Sequence, residues 1–344
     1  MDFVSIFNAA VTEMFGPTLL VYALAAIGLN VHFGYTGMLN FGQAAFVAVG
    51  AYGLALMVVT FAPMWFPGLA AGAVFWLGIL LGLIGAVVLA LLLGVPTLRL
   101  RADYLAIATI SAAEIIRRVF RSSTLREWTG GSDGRSGFAD VFREYGMVFG
   151  FDRGARFSWG PFFYTGTQLW VMVVGWILVG LTMLVVWLAM RSPWGRVLKA
   201  IREDEDAVRS LGKNVFSYKL QALILGGVIG ALAGFISGLT TGTVIPDTYS
   251  PQFTFFVYAM VILGGAARVF GPLVGAMIFW FMFQFLTQAL RQLSVQGILP
   301  PGVLDPTQVG PIVFVLLGAG IIALLIFRPQ GIFGDRREIS LDVR

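Results

Sequence analysis

The sequence contains no cysteine, and His32 is its single histidine. Disulfide bridges and thiolate metal sites are therefore excluded, most zinc and haem sites lack their usual ligands, and we predict no metal site. Charge is also scarce, since only 12% of the 344 residues are Asp, Glu, Lys or Arg, against about a quarter in soluble domains. Because 58% of the residues are hydrophobic, the composition indicates an integral membrane protein.

Long apolar runs fill most of the chain. A helix needs about 20 apolar residues to cross the hydrocarbon core, and about nine segments have this length, with a range of about eight to ten. The short alternating segments of a membrane β-barrel do not occur. We predict an all-α polytopic bundle that forms one transmembrane domain over 1–344. The predicted spans are 17–35, 38–60, 68–95, 103–120, 166–190, 219–243, 252–268, 271–291 and 310–327.

The positions of Lys and Arg predict the orientation, because short basic loops stay on the cytoplasmic side. No Lys or Arg precedes Arg99, and the richest short stretch is 191–219. Placing it inside also places the tail 328–344 inside, and leaves the amino terminus and the loop 121–165 outside. The net charge of +5 fits this pattern better than a nucleic-acid surface. The other basic residues placed inside are Arg99, Arg101, Arg268, Arg328, Arg336 and Arg337.

The segment 191–219 has the signals of an amphipathic helix. Ser192 can cap its amino end, Pro193 fits its first turn and Gly212 suits its end. On a continuous helix the apolar face would consist of Val197, Ile201, Val208 and Leu211. A polar face with Arg202, Glu203 and Asp206 would then be available to a partner's groove. An ordinary solvated loop is the alternative.

Four stretches, in order, resemble one known family. GRVLKAIREDEDAVRSLGKNVFSYKLQALILGGVIGALAG, from Gly195, is similar to the cytoplasmic coupling segment and following helix of the LivH/LivM permeases of branched-chain amino acid ABC importers. GYTGMLNFGQAAFVAVGAY, DYLAIATISAAEIIR and GGAARVFGPLVGA fit the same pattern. The long loop after the fourth predicted span resembles the LivM half. The chain departs from the commonest pattern at Val208, where a second small residue often follows Ala207.

This resemblance implies a permease subunit in a bacterial plasma membrane that translocates branched-chain amino acids. The implied partners are a second, LivH-type permease, two ATP-binding cassette subunits and an extracytoplasmic binding protein. ATP and magnesium would be bound by the cassette subunits, and no cofactor is expected in this chain. The implied coupling residues are Arg196, Arg202, Glu203, Asp204, Asp206, Ala207 and Gly212.

Glycines recur along one stripe of a predicted span. Gly226, Gly230, Gly234 and Gly238 are spaced by four residues. Small residues let helix backbones approach closely in a membrane, so we predict that these glycines serve packing more than solute contact. Gly271 and Gly275 repeat the spacing after a turn and receive the same interpretation.

Polar side chains inside predicted spans are costly and mark either a water-filled path or interhelical hydrogen bonds. Asn40 and Gln43, one helical turn apart on the predicted helix, could offer amide groups to a zwitterionic solute. Tyr104 and Thr109 are the other candidates for the translocation path. Interhelical hydrogen bonding or a locally unwound turn is the competing explanation for the two amides. We predict a structural role for His32.

Other functions stay open at this point. A permease for urea or a short amide would have a similar sequence, because most selectivity resides in the binding protein. An ion-coupled secondary transporter would use Glu114, for which we favour an ion pair with Arg117 or Arg118 one turn on. An enzyme is least favoured, because the sequence contains neither a GxxxxGK[ST] motif nor a catalytic constellation. Asp247 is interpreted as a turn residue, with an outer gate as the alternative.

Overall fold

The computed structural model describes residues 3–100, 102–160, 162–295, 308–328 and 330–334. Arg101 and most of the predicted tail, including Arg336 and Arg337, lie outside these ranges. The described chain is mainly helical, which confirms the predicted fold class. Its helices are α1 (Phe3–Phe15), α2 (Pro17–Leu29), α3 (Gln43–Leu56), α4 (Ala62–Trp65), α5 (Ala71–Thr97), α6 (Ala102–Arg121), α7 (Arg126–Thr129), α8 (Asp140–Val148), α9 (Gly166–Arg191), α10 (Pro193–Glu203), α11 (Glu205–Ser210), α12 (Val215–Thr241), α13 (Pro251–Gly264), α14 (Gly271–Val295) and α15 (Val309–Phe327).

Seven helical segments of the described chain are long and apolar enough to cross a membrane. They are α2 with its π-helical continuation Asn30–Tyr35, α3 with the continuation to Trp65, α5, α9, α12, α14 and α15. Two of the nine predicted spans do not qualify. α6 has the length but carries five charged side chains, and α13 has only 14 residues. A count of nine spans is therefore not confirmed.

α12 lies at the centre of the bundle and packs against α2, α3, α5 and α9. Its glycines allow this close approach. A Cβ at Gly227 would lie 2.6 Å from Phe46 Cδ1, and one at Gly230 would lie 2.8 Å from Gln43 Nε2. At these two positions side chains of α3 pack directly against the α12 backbone, as small residues permit in a membrane.

The second predicted span, 38–60, starts too early. Residues 37–42 are not helical, and α3 begins only at Gln43. The Asn40 side-chain oxygen accepts the Gly42 N–H at 2.8 Å, which replaces a helical hydrogen bond by a local turn. Gly37 has φ 71°, a conformation that favours glycine. Asn40 and Gln43 are thus not one helical turn apart.

The segment 191–219 is not one continuous helix, so that prediction is wrong. Asp204 has extended backbone angles between α10 and α11, and its carboxylate accepts the N–H groups of Asp206 and Ala207 at 2.9 and 3.0 Å. An aspartate that caps a new helix in this way offsets the cost of ending the previous one.

Two details of the same segment also differ from expectation. The Ser192 hydroxyl donates to the Ala189 carbonyl at 2.6 Å and does not cap α10. Leu211 is 79% exposed, whereas Ile201 and Val208 are buried. The break at Asp204 turns Leu211 away from the apolar face on which a continuous helix would place it.

The loop 121–165 contains regular structure. Besides the short helices α7 and α8 it contributes three short strands, β1 (Arg135–Ser136), β2 (Arg156–Trp159) and β3 (Phe162–Thr165). β2 and β3 form an antiparallel hairpin. β1 pairs antiparallel with β4 (Thr243–Val244), which follows α12. We call the end of the bundle that carries this loop the loop end, and the end that carries 191–219 the coupling end.

Candidate functional site

Four buried polar side chains surround an interruption between the first two spans. We call residues 30–43 the broken segment: a π-helical turn, a non-helical stretch and the first residue of α3. Asn30, His32, Asn40 and Gln43 are each at most 1% exposed. Buried polar groups require hydrogen-bond partners, so their contacts define what the segment does.

His32, in the π-helical turn, is linked both to Asn40 in the non-helical stretch and to α12. Its Nε2 donates to the Leu223 carbonyl at 3.1 Å, and its Nδ1 accepts from Asn40 Nδ2 at 3.0 Å. This arrangement places the proton on Nε2 and uses both ring nitrogens. The expected structural role of His32 therefore has a specific form, since the ring positions Asn40.

Asn30 joins the broken segment to the turn between α13 and α14. Its Nδ2 donates to the Arg268 carbonyl and its Oδ1 accepts the Ala267 N–H, both at 2.9 Å. Sequence reasoning missed Asn30. The available signal was a lone amide inside an apolar run, of the same kind that drew attention to Asn40.

Gln43 lies deep in the bundle. Its Nε2 donates to the Ala25 carbonyl at 3.2 Å. Ala25 is about ten residues, or about 15 Å along the helix axis, before the end of the first membrane-spanning segment at Tyr35. Its Oε1 has no hydrogen-bond partner among the described residues. α3 therefore begins far inside the bundle, with one amide oxygen available.

The candidate path residues do not all meet. Thr109 on α6 accepts the Phe41 N–H at 3.0 Å, so Asn40, Gln43 and Thr109 lie around the start of α3. Thr254 on α13, which sequence reasoning missed, accepts the Ala44 N–H at 3.0 Å. Tyr104 does not join them and is 62% exposed on α6.

The glycine stripe of α12 follows the broken segment and continues to the loop end. A Cβ at Gly226 would lie 2.7 Å from His32 Cδ2, and one at Gly234 would lie 2.7 Å from the Ala51 nitrogen. Gly238 faces the ring of Phe138 from the loop. Gly271 and Gly275 instead face backbone atoms near the end of α13.

All of the predicted coupling residues are exposed, but two of them also make contacts within the chain. The Arg202 guanidinium donates to the Gly34 carbonyl at 2.8 Å, and its Cγ packs against Gly37. Asp204 is the cap between α10 and α11. The other members are Arg196, Glu203, Asp206, Ala207 and Gly212.

An ion-pair network lies at the loop end. Glu114 Oε1 lies 2.7 Å from Arg117 Nη2 and 3.0 Å from Arg118 Nε, which confirms the predicted pair. Arg117 also bonds Asp247, and Arg121 reaches the same carboxylate at 3.4 Å. Asp247 thus joins its turn to α6, a contact that no local sequence pattern could reveal.

Residues 16–327 match the family model described as branched-chain amino acid transport system / permease component. The chain belongs to this family. The permease is 30% identical to the high-affinity branched-chain amino acid transport system permease protein LivM of Escherichia coli K12, over 91% of this chain and 68% of that protein. Its identity to a LivM permease protein of Methanocaldococcus jannaschii is 26%, over 93% and 92% of the two chains.

The permease is also similar to LivH of Escherichia coli K12, with 26% identity over 77% of this chain and 82% of that protein. Among solved structures, PsaBC from Streptococcus pneumoniae in complex with Fab aligns over 99% of this chain and 96% of that one. Its identity is 14% and its TM-score 0.38, so no argument rests on this likeness.

Proposed function

We propose that this permease is the membrane-spanning subunit of an ATP-binding cassette importer that carries branched-chain amino acids inward. Its partners in this proposal are a LivH-type permease, two ATPase subunits that bind ATP and magnesium, and an extracytoplasmic binding protein. Family membership supports the class. The observation that carries the coupling mechanism is Arg202, which connects the exposed segment 191–219 to the broken segment inside the membrane.

The outer surface of α11 provides a docking element for the ATPase. Arg209 forms ion pairs with Glu205 and Asp206, and Lys219 bonds Glu205, so α11 is held to α12. Leu211 follows this helix with 79% of its surface exposed. An exposed apolar side chain on a small, charged helix suits insertion into a hydrophobic groove of a partner.

Motion at α11 would reach the broken segment through α10. The Arg202 guanidinium holds the Gly34 carbonyl, and the same π-helical turn carries Asn30 and His32. Because His32 positions Asn40 and Asn30 holds the turn after α13, a shift of Arg202 would move groups on both sides of the start of α3. Alternating access would then follow from rearrangement of one segment that is not fixed by helical hydrogen bonds.

We propose that the solute path passes the polar groups around the start of α3, which would hydrogen-bond the zwitterionic amino acid. The unpartnered Gln43 Oε1 supports this assignment because a carbonyl oxygen can accept hydrogen bonds from an ammonium group. Asn40 and Thr109 are engaged internally in this structure. They would become available to solute only after the broken segment rearranges.

The charge distribution supports an orientation with the coupling end in the cytoplasm and the amino terminus outside. The arginines of the loop end lie next to carboxylates, so their charge is locally balanced and conflicts less with an external location. At the coupling end, Arg209 and Lys219 are paired with carboxylates, whereas Arg99 and Arg191 lie over aromatic rings. The loop-end arginines with a carboxylate within 4 Å are Arg117, Arg118, Arg121, Arg126, Arg143 and Arg153.

Uptake by the reconstituted complex tests the function. Proteoliposomes that contain both permeases and the ATPases are supplied with the binding protein outside. They should accumulate labelled leucine, isoleucine and valine only when ATP is enclosed in the lumen, where it reaches the ATPases that face inward. Accumulation of urea or acetamide without leucine would assign the short-amide importer instead. Uptake driven by a membrane potential without ATP would support a secondary transporter.

Leu211→Asp tests the docking element. A carboxylate in an apolar groove loses the contact and is desolvated, so we expect ATPase subunits to bind at least about tenfold more weakly. Val148→Asp is the matched control, because Val148 is 81% exposed and is the last residue of α8, at the opposite end of the bundle. Equal co-purification of ATPase with both variants would refute docking through Leu211.

A further inference from the structure

A basic cavity opens at the coupling end, where two membrane-spanning helices terminate. Its volume is about 440 Å³, and it lies between the end of α9, the helix α10 and the turn between α13 and α14. The segment 330–334 closes one side, because the Ile332 and Phe333 N–H groups donate to the carbonyls of Leu263 and Gly264. The lining residues used below are Trp187, Arg191, Lys199 and Phe270.

The cationic side chains of Arg191 and Lys199 line the cavity, and its described lining residues include no carboxylate. The Arg191 guanidinium lies 4.0 Å from the centre of the Trp187 ring. The Lys199 ammonium lies 6.0 Å from the centre of the Tyr35 ring. Neither cation forms an ion pair with a described carboxylate. Aromatic rings orient these cations without neutralising them, which leaves the cavity suited to an anion.

The surface beside the cavity is apolar and faces away from the bundle. Leu188 and Leu184 lie one and two turns before Arg191 on α9 and are 55% and 51% exposed. Phe270, which lines the cavity itself, is 62% exposed. Since α9 is a membrane-spanning helix, this surface meets the acyl chains of the bilayer. A bound molecule can therefore place an anionic group in the cavity and a hydrocarbon chain along α9.

We propose that this cavity binds the headgroup phosphate of an anionic phospholipid such as phosphatidylglycerol. The phosphate receives charge-assisted hydrogen bonds from Arg191 and Lys199, and one acyl chain lies along Leu184 and Leu188. A free phosphate ion shares the first contact but not the second, which favours the lipid. The lipid joins α9 and α10 to the turn after α13, and so holds the coupling segment against the membrane domain.

Bromine quenching of Trp187 fluorescence tests the site in the assembled transporter. The complex is reconstituted in phosphatidylcholine vesicles that contain a small fraction of dibrominated phosphatidylglycerol or dibrominated phosphatidylcholine. We expect quenching at lower concentrations of the brominated phosphatidylglycerol, and we expect Trp187→Phe to remove this difference. Loss of the difference in the complex, while isolated permease shows it, would mean that a partner fills the cavity and would overturn the proposal.

Charge variants separate a specific site from general attraction. The double variant Arg191→Gln, Lys199→Gln should weaken phosphatidylglycerol quenching about 30-fold, at about 1 kcal/mol for each cation. Arg99→Gln with Lys213→Gln removes the same charge from the same end outside the cavity lining, and should leave the difference in quenching in place. An equal loss in both double variants would refute a built site.

Two further measurements distinguish lipid binding from misfolding and from binding of a soluble anion. Arg191→Lys with Lys199→Arg retains both charges, so it should bind phosphatidylglycerol within about threefold of the unaltered complex even if the glutamine variants misfold. Inorganic phosphate at about 10 mM should not relieve the quenching, because it lacks the acyl contact. Relief by inorganic phosphate would assign the cavity to a soluble anion and overturn the lipid proposal.

Discussion

Gly226→Ala tests how closely α12 approaches the first membrane-spanning segment, Pro17–Tyr35. The new methyl carbon would lie 2.7 Å from His32 Cδ2 and closer still to Nε2 and to the Gly28 carbonyl, whereas relaxed carbon contacts are about 3.5–4.0 Å. The segment Pro17–Tyr35 must therefore move away from α12 by about 1 Å. Overpacking of this kind costs about 2 kcal/mol. Separating the His32 ring from the Leu223 carbonyl, now at 3.1 Å, costs about 2 kcal/mol for a buried donor left unpaired.

Alanine also gains about 1 kcal/mol over glycine inside a helix, so the net loss of unfolding free energy should be about 3 kcal/mol. The assay is equilibrium unfolding in mixed micelles by titration with sodium dodecyl sulfate, followed by tryptophan fluorescence. Gly180→Ala on α9 is the matched control, because a Cβ there would meet nothing within 4 Å. We expect this control to be neutral or up to about 1 kcal/mol more stable.

Equal stability of the two alanine variants would refute the close approach. A second readout protects the test against indirect effects. If Gly226→Ala displaces His32 from Leu223, His32→Ala should remove part of its penalty in the double variant, because the two changes act on one contact. Strict additivity would mean that the methyl group destabilises the bundle somewhere else.

Two functional predictions concern single side chains. Arg202→Gln should lower the number of amino acids imported per ATP hydrolysed about tenfold while hydrolysis continues, with partial recovery in Arg202→Lys. Lys213→Gln, at an exposed position outside the predicted coupling residues, is the control, and an equal fall in hydrolysis and import for Arg202→Gln would argue against a link. Glu114→Gln should preserve ATP-driven uptake while lowering stability by about 1 kcal/mol, because this partly exposed carboxylate holds two guanidinium groups. Loss of uptake with ATP dispensable would contradict this assignment and support proton coupling.

The helical architecture could be predicted because length and hydropathy decide it directly. α5, α9, α12, α14 and α15 fall close to predicted spans. Whether α6 and α13 span the membrane was harder to predict, because the position of each helix in the bundle depends on the neighbours that cover it. α6 carries charges that are acceptable only where Asp247 and the loop end are close, and this contact joins residues about 130 positions apart.

Local chemistry explains the remaining errors around the candidate site. Asn40 was placed inside the predicted span 38–60, with a locally unwound turn as the alternative. The structure has that turn, because the short Asn40 side chain competes with helical hydrogen bonding by accepting the Gly42 N–H. Asp204 does the same between α10 and α11. In both places the sequence contains the residue types that favour a break, yet only the packing of the neighbours decides between a break and a continuous helix. Asn30 and Thr254 were missed because their partners are distant in the chain.

The cap at Asp204 makes the coupling segment a two-part joint. α10 packs against both α9 and α12, while α11 is tied to α12 by the Lys219 ion pair with Glu205. A change in the angle between α10 and α11 can be taken up at the extended residue Asp204, without bending either helix. Lengthening this joint by inserting a glycine after Asp204 would leave each half folded but allow α11 to move independently of α10. In the proposed coupling mechanism, the bending point of this segment is a single peptide unit at Asp204 rather than the whole of 191–219.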